Sequence, residues 1–135
     1  MKVGVAPRNH GKLVHGDISD AVLSAAVQVH TALGPGLLES AYEECLCHEL
    51  ALHGVKFQRQ VPLPVIYKGV RLDCGYKLDV VVEDRVVVEL KAVEKILPIH
   101  EAQLLTYLRM SGKRVGLLLN FNVRVIGQGI VRGVL

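Results

Sequence analysis

The sequence predicts a single α/β domain in which helices flank a mixed β-sheet, and three observations lead to this prediction. The chain has 135 residues, half of them hydrophobic, which is long enough for one domain with its own core. Two valine-rich runs flank the polar tripeptide 83–85, which is the pattern of a β-hairpin. A helical segment then separates the second run from another apolar strand, which is typical of a crossover connection within a sheet.

The N-terminal part of the chain predicts a polar segment followed by two helices. Residues 1–17 contain scattered glycines and lack hydrophobic periodicity, so we expect a flexible arm there and the folded domain over 18–135. Apolar residues recur at helical spacing from Ile18 to Leu33, and Gly34-Pro35-Gly36 ends that helix. A second helix is expected from about Leu38 to His53. Its apolar side is predicted to consist of Leu38, Ala41, Cys45, Leu46, Leu50 and Leu52.

The remaining elements follow from turn residues and prolines. Residues 57–73 are extended, but Pro62 and Pro64 restrict this segment to an edge or bulged strand, and Lys68-Gly69 indicates a turn within it. Pro98 opens a third helix that runs to about residue 110. A buried-type strand over 114–120 and one or two short strands over 123–135 complete the predicted order α-α-β-β-β-α-β-β. The apolar face of the third helix is predicted to consist of Ile99, Ala102, Leu105 and Leu108.

Three charged residues, Asp79, Glu89 and Lys91, lie inside the predicted hairpin. If the turn is the three residues 83–85, Asp79 faces Glu89 and all three charges share one face of the sheet. A two-residue turn would place Glu89 on the other face. Opposed carboxylates repel, and a divalent cation between them removes that penalty, with Lys91 available to hold a water or a phosphate oxygen. The alternative is a solvated face on which Lys91 is an ion-pair partner of the two acids.

Composition narrows the compartment and the partners. A net charge of +3 is compatible with a nucleic-acid partner but too weak to indicate one. No apolar run is long enough for a bilayer and no signal peptide is visible, so we expect a cytoplasmic protein without a membrane partner. Three cysteines without a disulfide framework fit a reducing compartment. Cys45-x-Cys47-His48 has no second ligand pair, so we interpret these cysteines as structural.

Two further sets of polar residues are candidates for function. His100, Gln103 and Tyr107 fall at spacings of three and four on the third helix, so they line up along one side. Basic residues cluster around the early strands, where they either contact a phosphate backbone or form a solvated basic face. The candidates for nucleic-acid contact are Arg59, Arg71, Lys77 and His100, with Lys56 and Lys68 nearby.

Several of these motifs occur together in a known family. They are Gly36-x-x-Glu39-x-x-Tyr42, Asp79 followed by Glu89-x-Lys91, His100-x-x-Gln103-x-x-x-Tyr107, and Leu119-Asn120-Phe121. In this combination the chain resembles the GxxExxY family of small bacterial and archaeal proteins, which is placed in the PD-(D/E)xK nuclease superfamily. The resemblance covers nearly the whole chain, from Ile18 to Leu135, and implies a restriction-endonuclease-like core.

The resemblance also implies an activity, a nuclease that uses Mg²⁺ (or Mn²⁺) to hydrolyse phosphodiester bonds of DNA or RNA. Asp79, Glu89 and the Leu90 carbonyl would hold the metal, and Lys91 would orient or help deprotonate the attacking water. Glu39 would add an acidic group from the second helix. Gln103 and Tyr107 match the Q-x-x-x-Y helix that lines the site in RecB-like nucleases. The alternative is a non-catalytic module that keeps this fold and binds nucleic acid or a protein, and cutting both strands of a duplex would favour a homodimer.

Overall fold

Six strands form one mixed sheet, with two helices on one face and a third helix on the other. The computed structural model describes residues 2–4 and 13–135. The helices are α1 (Gly16–Leu33), α2 (Glu39–Leu52) and α3 (Pro98–Ser111). The strands are β1 (Lys2–Gly4), β2 (Phe57–Pro62), β3 (Val65–Tyr67), β4 (Val70–Leu72), β5 (Lys77–Val82), β6 (Val86–Lys91), β7 (Val115–Asn120) and β8 (Ile130–Val134).

The strand order in the sheet is β1-β8-β7-β6-β5-β2. β6 and β7 are parallel and are joined through α3, which is the crossover that the sequence predicts. The other neighbours in this sheet are antiparallel. Among the described strands, β3 and β4 pair only with each other and form a separate two-stranded hairpin. The chain is therefore one small α/β domain, as expected from the sequence.

The central strands read as continuous Val and Leu runs because both of their faces are covered. Val80, Val88 and Leu117 pack in a core with α1 and α2. Val81, Val87 and Leu118 pack in a second core with α3. Successive residues of each strand thus alternate between two buried faces, which explains why hydrophobic alternation is absent from β5 to β7.

α3 sits close to the sheet because two glycines leave room for it. Gly116 on β7 and Gly133 on β8 are partners in the sheet. A Cβ at Gly116 would lie 2.7 Å from Leu104 Cδ1, and one at Gly133 would lie 3.0 Å from Leu104 Cδ2. This close approach determines how near the polar side of α3 comes to the charged residues of the hairpin.

Two predicted helix faces are wrong in detail. On α2, Tyr42, Leu46 and Leu50 form the buried row, whereas Leu38 is 76 % exposed because its extended backbone precedes the helix. Glu43 is also buried, beside Tyr42. On α3, Leu104 and Leu108 are the buried residues. Ile99 and Ala102 are exposed, contrary to the prediction. Leu104 packs on Gly116 and Gly133, and this contact turns Ile99 and Ala102 away from the sheet.

The segment after α2 forms an edge strand with an irregular position, as Pro62 and Pro64 predict. β2 is an edge strand, and its pairing with β5 is interrupted at Gln60, which has a φ of +51°. The turn of the β3–β4 hairpin is Lys68-Gly69, and both residues have positive φ, at +49° and +78°. That is the geometry of a type I′ turn.

About half of the predicted flexible arm over 1–17, residues 1 and 5–12, lies outside the described residues. Within it, Lys2–Gly4 pairs with β8, and Gly16 and Asp17 belong to α1. Among the described helices, none combines the length and apolar character needed to cross a membrane.

Candidate active site

The β5–β6 hairpin has the three-residue turn that aligns its charged residues. Val82 pairs with Val86, Val81 with Val87 and Val80 with Val88. One step beyond the last of these pairs, the same register places Asp79 opposite Glu89. Period-two alternation then puts Lys91 on the same side as both carboxylates, facing the α3 layer to which Val81 and Val87 belong.

The two carboxylates bridge the strands where the regular ladder ends. The Asp79 N–H donates to Glu89 Oε2 at 2.9 Å, and the Leu90 N–H donates to Asp79 Oδ2 at 3.0 Å. Each carboxylate thereby uses one oxygen to fix its own orientation. No N–H group of the described residues donates to the other two oxygens, Asp79 Oδ1 and Glu89 Oε1, and the two carboxyl groups are close enough to share a proton. Those oxygens remain available to an external ligand.

The pair brings two carboxyl groups together in a largely buried place. Glu89 is only 7 % exposed. Burial first, and then the neighbouring Asp79 carboxylate, raises the pKa of Glu89 well above its usual range, whereas the charge of Lys91 acts in the opposite direction. Within the described part of the chain, no basic side chain forms an ion pair with either acid. This burial does not fit the alternative of a solvated face neutralised by Lys91.

The donors at this place fit a hard divalent cation. Mg²⁺ is commonly bound by one or two carboxylates, with waters and substrate phosphates completing its octahedron. Asp79 and Glu89 offer that set, and their mutual repulsion is what a cation relieves. Over residues 13–135, no three or more His, Cys, Asp or Glu side chains are grouped so that they could hold a metal, so this site offers two carboxylates and leaves the other positions to further oxygens. The Leu90 carbonyl remains a predicted ligand. The N–H group of the same residue donates to Asp79.

α3 contributes a phenol to the site. Tyr107 is half-buried, and burial first, then the Glu89 carboxylate, raises its pKa. The Tyr107 hydroxyl therefore stays protonated close to the carboxylate pair. Gln103 Nε2 donates to the Tyr107 oxygen at 3.1 Å, so the phenol proton is free to point elsewhere. The ring of Tyr76, which the sequence did not single out, lies 6.1 Å from the Tyr107 ring.

Asn120 fixes the chain that follows Lys91. It is buried on β7, at the position that pairs with Lys91 in the parallel ladder. Its Oδ1 accepts from the Val93 N–H at 3.1 Å, and its Nδ2 donates to the Val93 carbonyl at 2.9 Å. The Phe121 N–H donates to the Lys91 carbonyl at 3.0 Å. The main chain on both sides of Lys91 is thus held in place, while its ammonium group forms no hydrogen bond or ion pair with the described residues.

A strained residue lies across the sheet from Asp79. Arg59 pairs with Val80 and Val61 with Leu78, so Gln60 occupies the position that faces Asp79. Its left-handed backbone is costly for a residue other than glycine, and such strain collects at functional sites. The Gln60 amide donates to Glu43 Oε1 at 2.8 Å, which anchors this bend to α2. In the local sequence, only the prolines that follow, Pro62 and Pro64, indicate an irregular strand here.

Part of the Gly36-x-x-Glu39-x-x-Tyr42 motif has a structural role. Tyr42 is fully buried; its hydroxyl donates to the Gly34 carbonyl at 2.6 Å and accepts from the Leu37 N–H at 3.1 Å. Its ring stacks on Phe121 with centroids 4.5 Å apart. These contacts close the α1–α2 connection. Glu39 is exposed at the first residue of α2 and forms no hydrogen bond or ion pair with the described residues of the β5–β6 hairpin, so its catalytic role remains a prediction.

The residues predicted to contact nucleic acid are scattered. Arg59 is engaged by Glu43 at 2.8 Å and Glu44 at 3.1 Å, on the α2 side of the sheet. His100 Nδ1 accepts from the Leu97 N–H at 2.9 Å and so caps α3. Lys77 is exposed on β5, two residues before Asp79 and therefore on its side of the strand. Arg71 is exposed on the β3–β4 hairpin.

A mixed sheet with a paired Asp and Glu-x-Lys on its central hairpin, and with a polar helix facing them, defines a restriction-endonuclease-like nuclease fold. The chain belongs to the PD-(D/E)XK nuclease superfamily, since the model of that family matches residues 16–133. No match was found among curated proteins, and none among solved structures.

Proposed function

We propose that this chain is a nuclease that requires Mg²⁺ or Mn²⁺ and hydrolyses phosphodiester bonds of nucleic acid. The observation that supports it most strongly is the pair of buried Glu89 and partly buried Asp79, with which no described basic group forms an ion pair. Within the superfamily, the order of the motifs favours the GxxExxY family. The chemistry requires a site that binds a cation, positions a water and stabilises charge on phosphorus.

A bound divalent cation would supply Lewis-acid activation of water and neutralise charge on the phosphate. Asp79 Oδ1 and Glu89 Oε1, with the Leu90 carbonyl, would hold it. In the reaction, a water oxygen forms a bond to phosphorus, the bond from phosphorus to the leaving ester oxygen breaks, and that oxygen gains a proton. The chain's task is to orient these groups and stabilise the charge that develops.

Lys91 and Tyr107 have complementary roles in that task. The Lys91 ammonium is placed to donate to a non-bridging phosphate oxygen and to orient the water, as a cation whose charge is not already taken by the two acids. Tyr107 keeps its proton and accepts from Gln103, so it can donate to a phosphate oxygen or a water. Glu39 is a further acid for the site if α2 and the substrate approach each other.

The test is cleavage of plasmid, linear duplex, single-stranded DNA and RNA with Mg²⁺ or Mn²⁺, and with EDTA as a control. Wild type, Lys91→Ala and the matched variant Lys95→Ala are purified side by side; Lys95 is exposed and four residues away. We expect metal-dependent cleavage that Lys91→Ala reduces by on the order of 10²–10³-fold and Lys95→Ala leaves unchanged.

Equal cleavage by Lys91→Ala and wild type would exclude catalysis at this site. Failure of folded, metal-loaded wild type to cut any of these substrates would favour the alternative, a binding module that keeps the nuclease fold. The same panel would identify whether DNA or RNA is cut, and whether both strands of a duplex are cut, which would favour a homodimer and can be checked by light scattering.

A further inference from the structure

The β3–β4 hairpin is a projecting element that exposes apolar side chains. It forms no backbone ladder with the main sheet. Ile66, Tyr67, Val70 and Leu72 are all large hydrophobic residues, and between 41 % and 60 % of each is exposed. Two isolated strands are only marginally stable in water, and contiguous exposed apolar surface is a common mark of a binding site. The exposed apolar side chains therefore make the hairpin a candidate binding surface.

The charge of the hairpin favours a polyanion. Residues 65–72 contain Lys68 and Arg71 and no acid. Lys68 Nζ lies 5.5 Å from the centre of the Tyr67 ring, so cation and aromatic ring form one surface. Across a cleft of about 280 Å³ lined by Pro64, Ile66, Arg109 and Met110, α3 adds a third cation. A second copy of this chain would bring the same positive charges together, which disfavours self-association here.

The hairpin is also connected to the candidate active site through aromatic rings. Tyr76 follows β4, and its carbonyl accepts from the Leu63 N–H at 2.8 Å, which pins the two ends of the hairpin to each other. The Tyr76 ring contacts Tyr107, the phenol beside Asp79 and Glu89. Tyr76 and Tyr107 thus link the base of the hairpin to the carboxylates, and Tyr67 lies at its tip, beside the turn.

We propose that the β3–β4 hairpin, with Tyr67, Arg71 and Tyr76, binds a single strand of nucleic acid and leads it to the Asp79–Glu89 pair. Exposed aromatic rings stack on the faces of unpaired bases, which a duplex keeps buried in its own stack, while nearby cations follow the phosphates. The inference deepens the proposed function, on which it rests for the cleavage step, by assigning the substrate to single strands or to single-stranded ends and flaps.

Binding without turnover tests the proposal. Fluorescence anisotropy in EDTA would compare a labelled single-stranded DNA, an RNA of the same sequence and the corresponding blunt duplex. We expect wild type to bind a single strand at least about tenfold more tightly than the duplex. Tyr67→Ala should weaken single-strand binding by about tenfold, the effect of losing one stacked base, whereas Tyr67→Phe keeps the ring and stays within about twofold.

A matched pair of charge variants tests the phosphate contact. Arg71→Ala should weaken binding and lower the slope of log affinity against log salt by about 0.7, as for one phosphate contact on a single strand. Arg85→Ala removes an exposed cation from the turn of the β5–β6 hairpin and should change neither quantity. Thermal unfolding of Tyr67→Ala within about 2 °C of wild type would show that the variant is folded, as its exposure predicts.

Tighter binding of the duplex than of both single strands, or affinity of folded Tyr67→Ala within twofold of wild type, would overturn the proposal. Comparison of the DNA and RNA arms identifies the sugar that is preferred. If binding behaves as expected but no substrate is cut with Mg²⁺, the proposed nuclease function fails and this inference stands. If wild type cuts and Tyr67→Ala cuts single strands equally well, this inference alone fails.

Discussion

The structure buries one glutamate on each side of the sheet, and the two are treated in opposite ways. Glu43, on the α2 side, is 8 % exposed; its Oε2 accepts from Arg59 twice, at 2.8 and 3.1 Å, and its Oε1 accepts from Gln60. Glu89, on the α3 side, is 7 % exposed, and its nearest charged partner in the strand register is another acid, Asp79. A buried charge that is fully paired has a structural explanation, whereas two adjacent carboxyl groups cannot both be ionised without a cation, and in its absence Glu89 keeps its proton.

Asp79→Asn should produce the largest effect, a loss of function with no loss of stability. The amide keeps an oxygen for the Leu90 N–H but removes one of the two charges that hold a cation. Metal-dependent cleavage should fall by on the order of 10²–10³-fold, while the free energy of unfolding stays level or rises because the repulsion is gone. Asp73→Asn, the same change at an exposed acid, should leave cleavage intact. A similar loss in both variants would contradict the assignment.

Glu43→Ala should have the opposite profile, with a cost in stability. It leaves the Arg59 guanidinium and the Gln60 amide without their principal partner, so we expect a loss of about 2–4 kcal/mol in urea unfolding. Glu44→Ala breaks the other contact of Arg59, but that carboxylate is exposed, and the loss should be below about 1 kcal/mol. Equal losses in the two variants would mean that burial does not separate structural from surface pairing here.

The pH dependence of stability distinguishes the two faces as well. Because the pKa of Glu89 is raised in the folded protein, the folded state binds more protons than the unfolded state above the ordinary carboxyl range. Without metal, this contribution to stability is present at low pH and is lost as pH rises from the ordinary carboxyl pKa to the folded-state pKa of about 9. Glu89→Gln should flatten that part of the profile and gain about 1–3 kcal/mol at neutral pH. An unchanged slope in the variant would contradict the raised pKa.

Tyr107→Phe should have the smallest effect. It removes one hydroxyl that accepts from the exposed Gln103 amide and lies near the carboxylates. We expect cleavage to fall roughly 3- to 10-fold, the equivalent of one hydrogen bond of about 1 kcal/mol, with stability unchanged within about 0.5 kcal/mol. A loss above about 100-fold in the same kinetic assay would show that Tyr107 transfers a proton rather than positions a group.

The site that could be predicted from sequence is the part encoded locally. A polar tripeptide between two valine runs determines the hairpin register, and that register alone aligns Asp79 with Glu89. The spacing of Gln103 and Tyr107 predicts that they share one side of a helix. Because that helix connects two parallel strands, it must pack against the sheet. The parallel pairing of β6 with β7 likewise follows from the helix that joins them.

The rest depends on contacts between distant segments. The burial of Glu43 requires Arg59, sixteen residues away. The hydrogen bonds that hold the Val93 main chain require Asn120, twenty-seven residues away. Hydrophobic periodicity counts both Tyr42 and Glu43 as off the apolar stripe, although both are buried. The nearness of Tyr76 to Tyr107 depends on where β4 returns to the sheet. Pairing of Lys2–Gly4 with β8 joins the two ends of the chain, which no local pattern indicates.

The most direct test of the central claim is a titration of wild type and Glu89→Gln with Mg²⁺ and Mn²⁺. Thermal unfolding measures the stabilisation, and calorimetry measures the binding. A ligand that binds only the folded state raises the unfolding temperature in proportion to the logarithm of its concentration over Kd. We predict that wild type is stabilised by metal, whereas Glu89→Gln is the more stable protein in EDTA and gains nothing from metal. Equal stabilisation of both proteins, or no metal binding by wild type, would show that the Asp79–Glu89 pair is not a metal site.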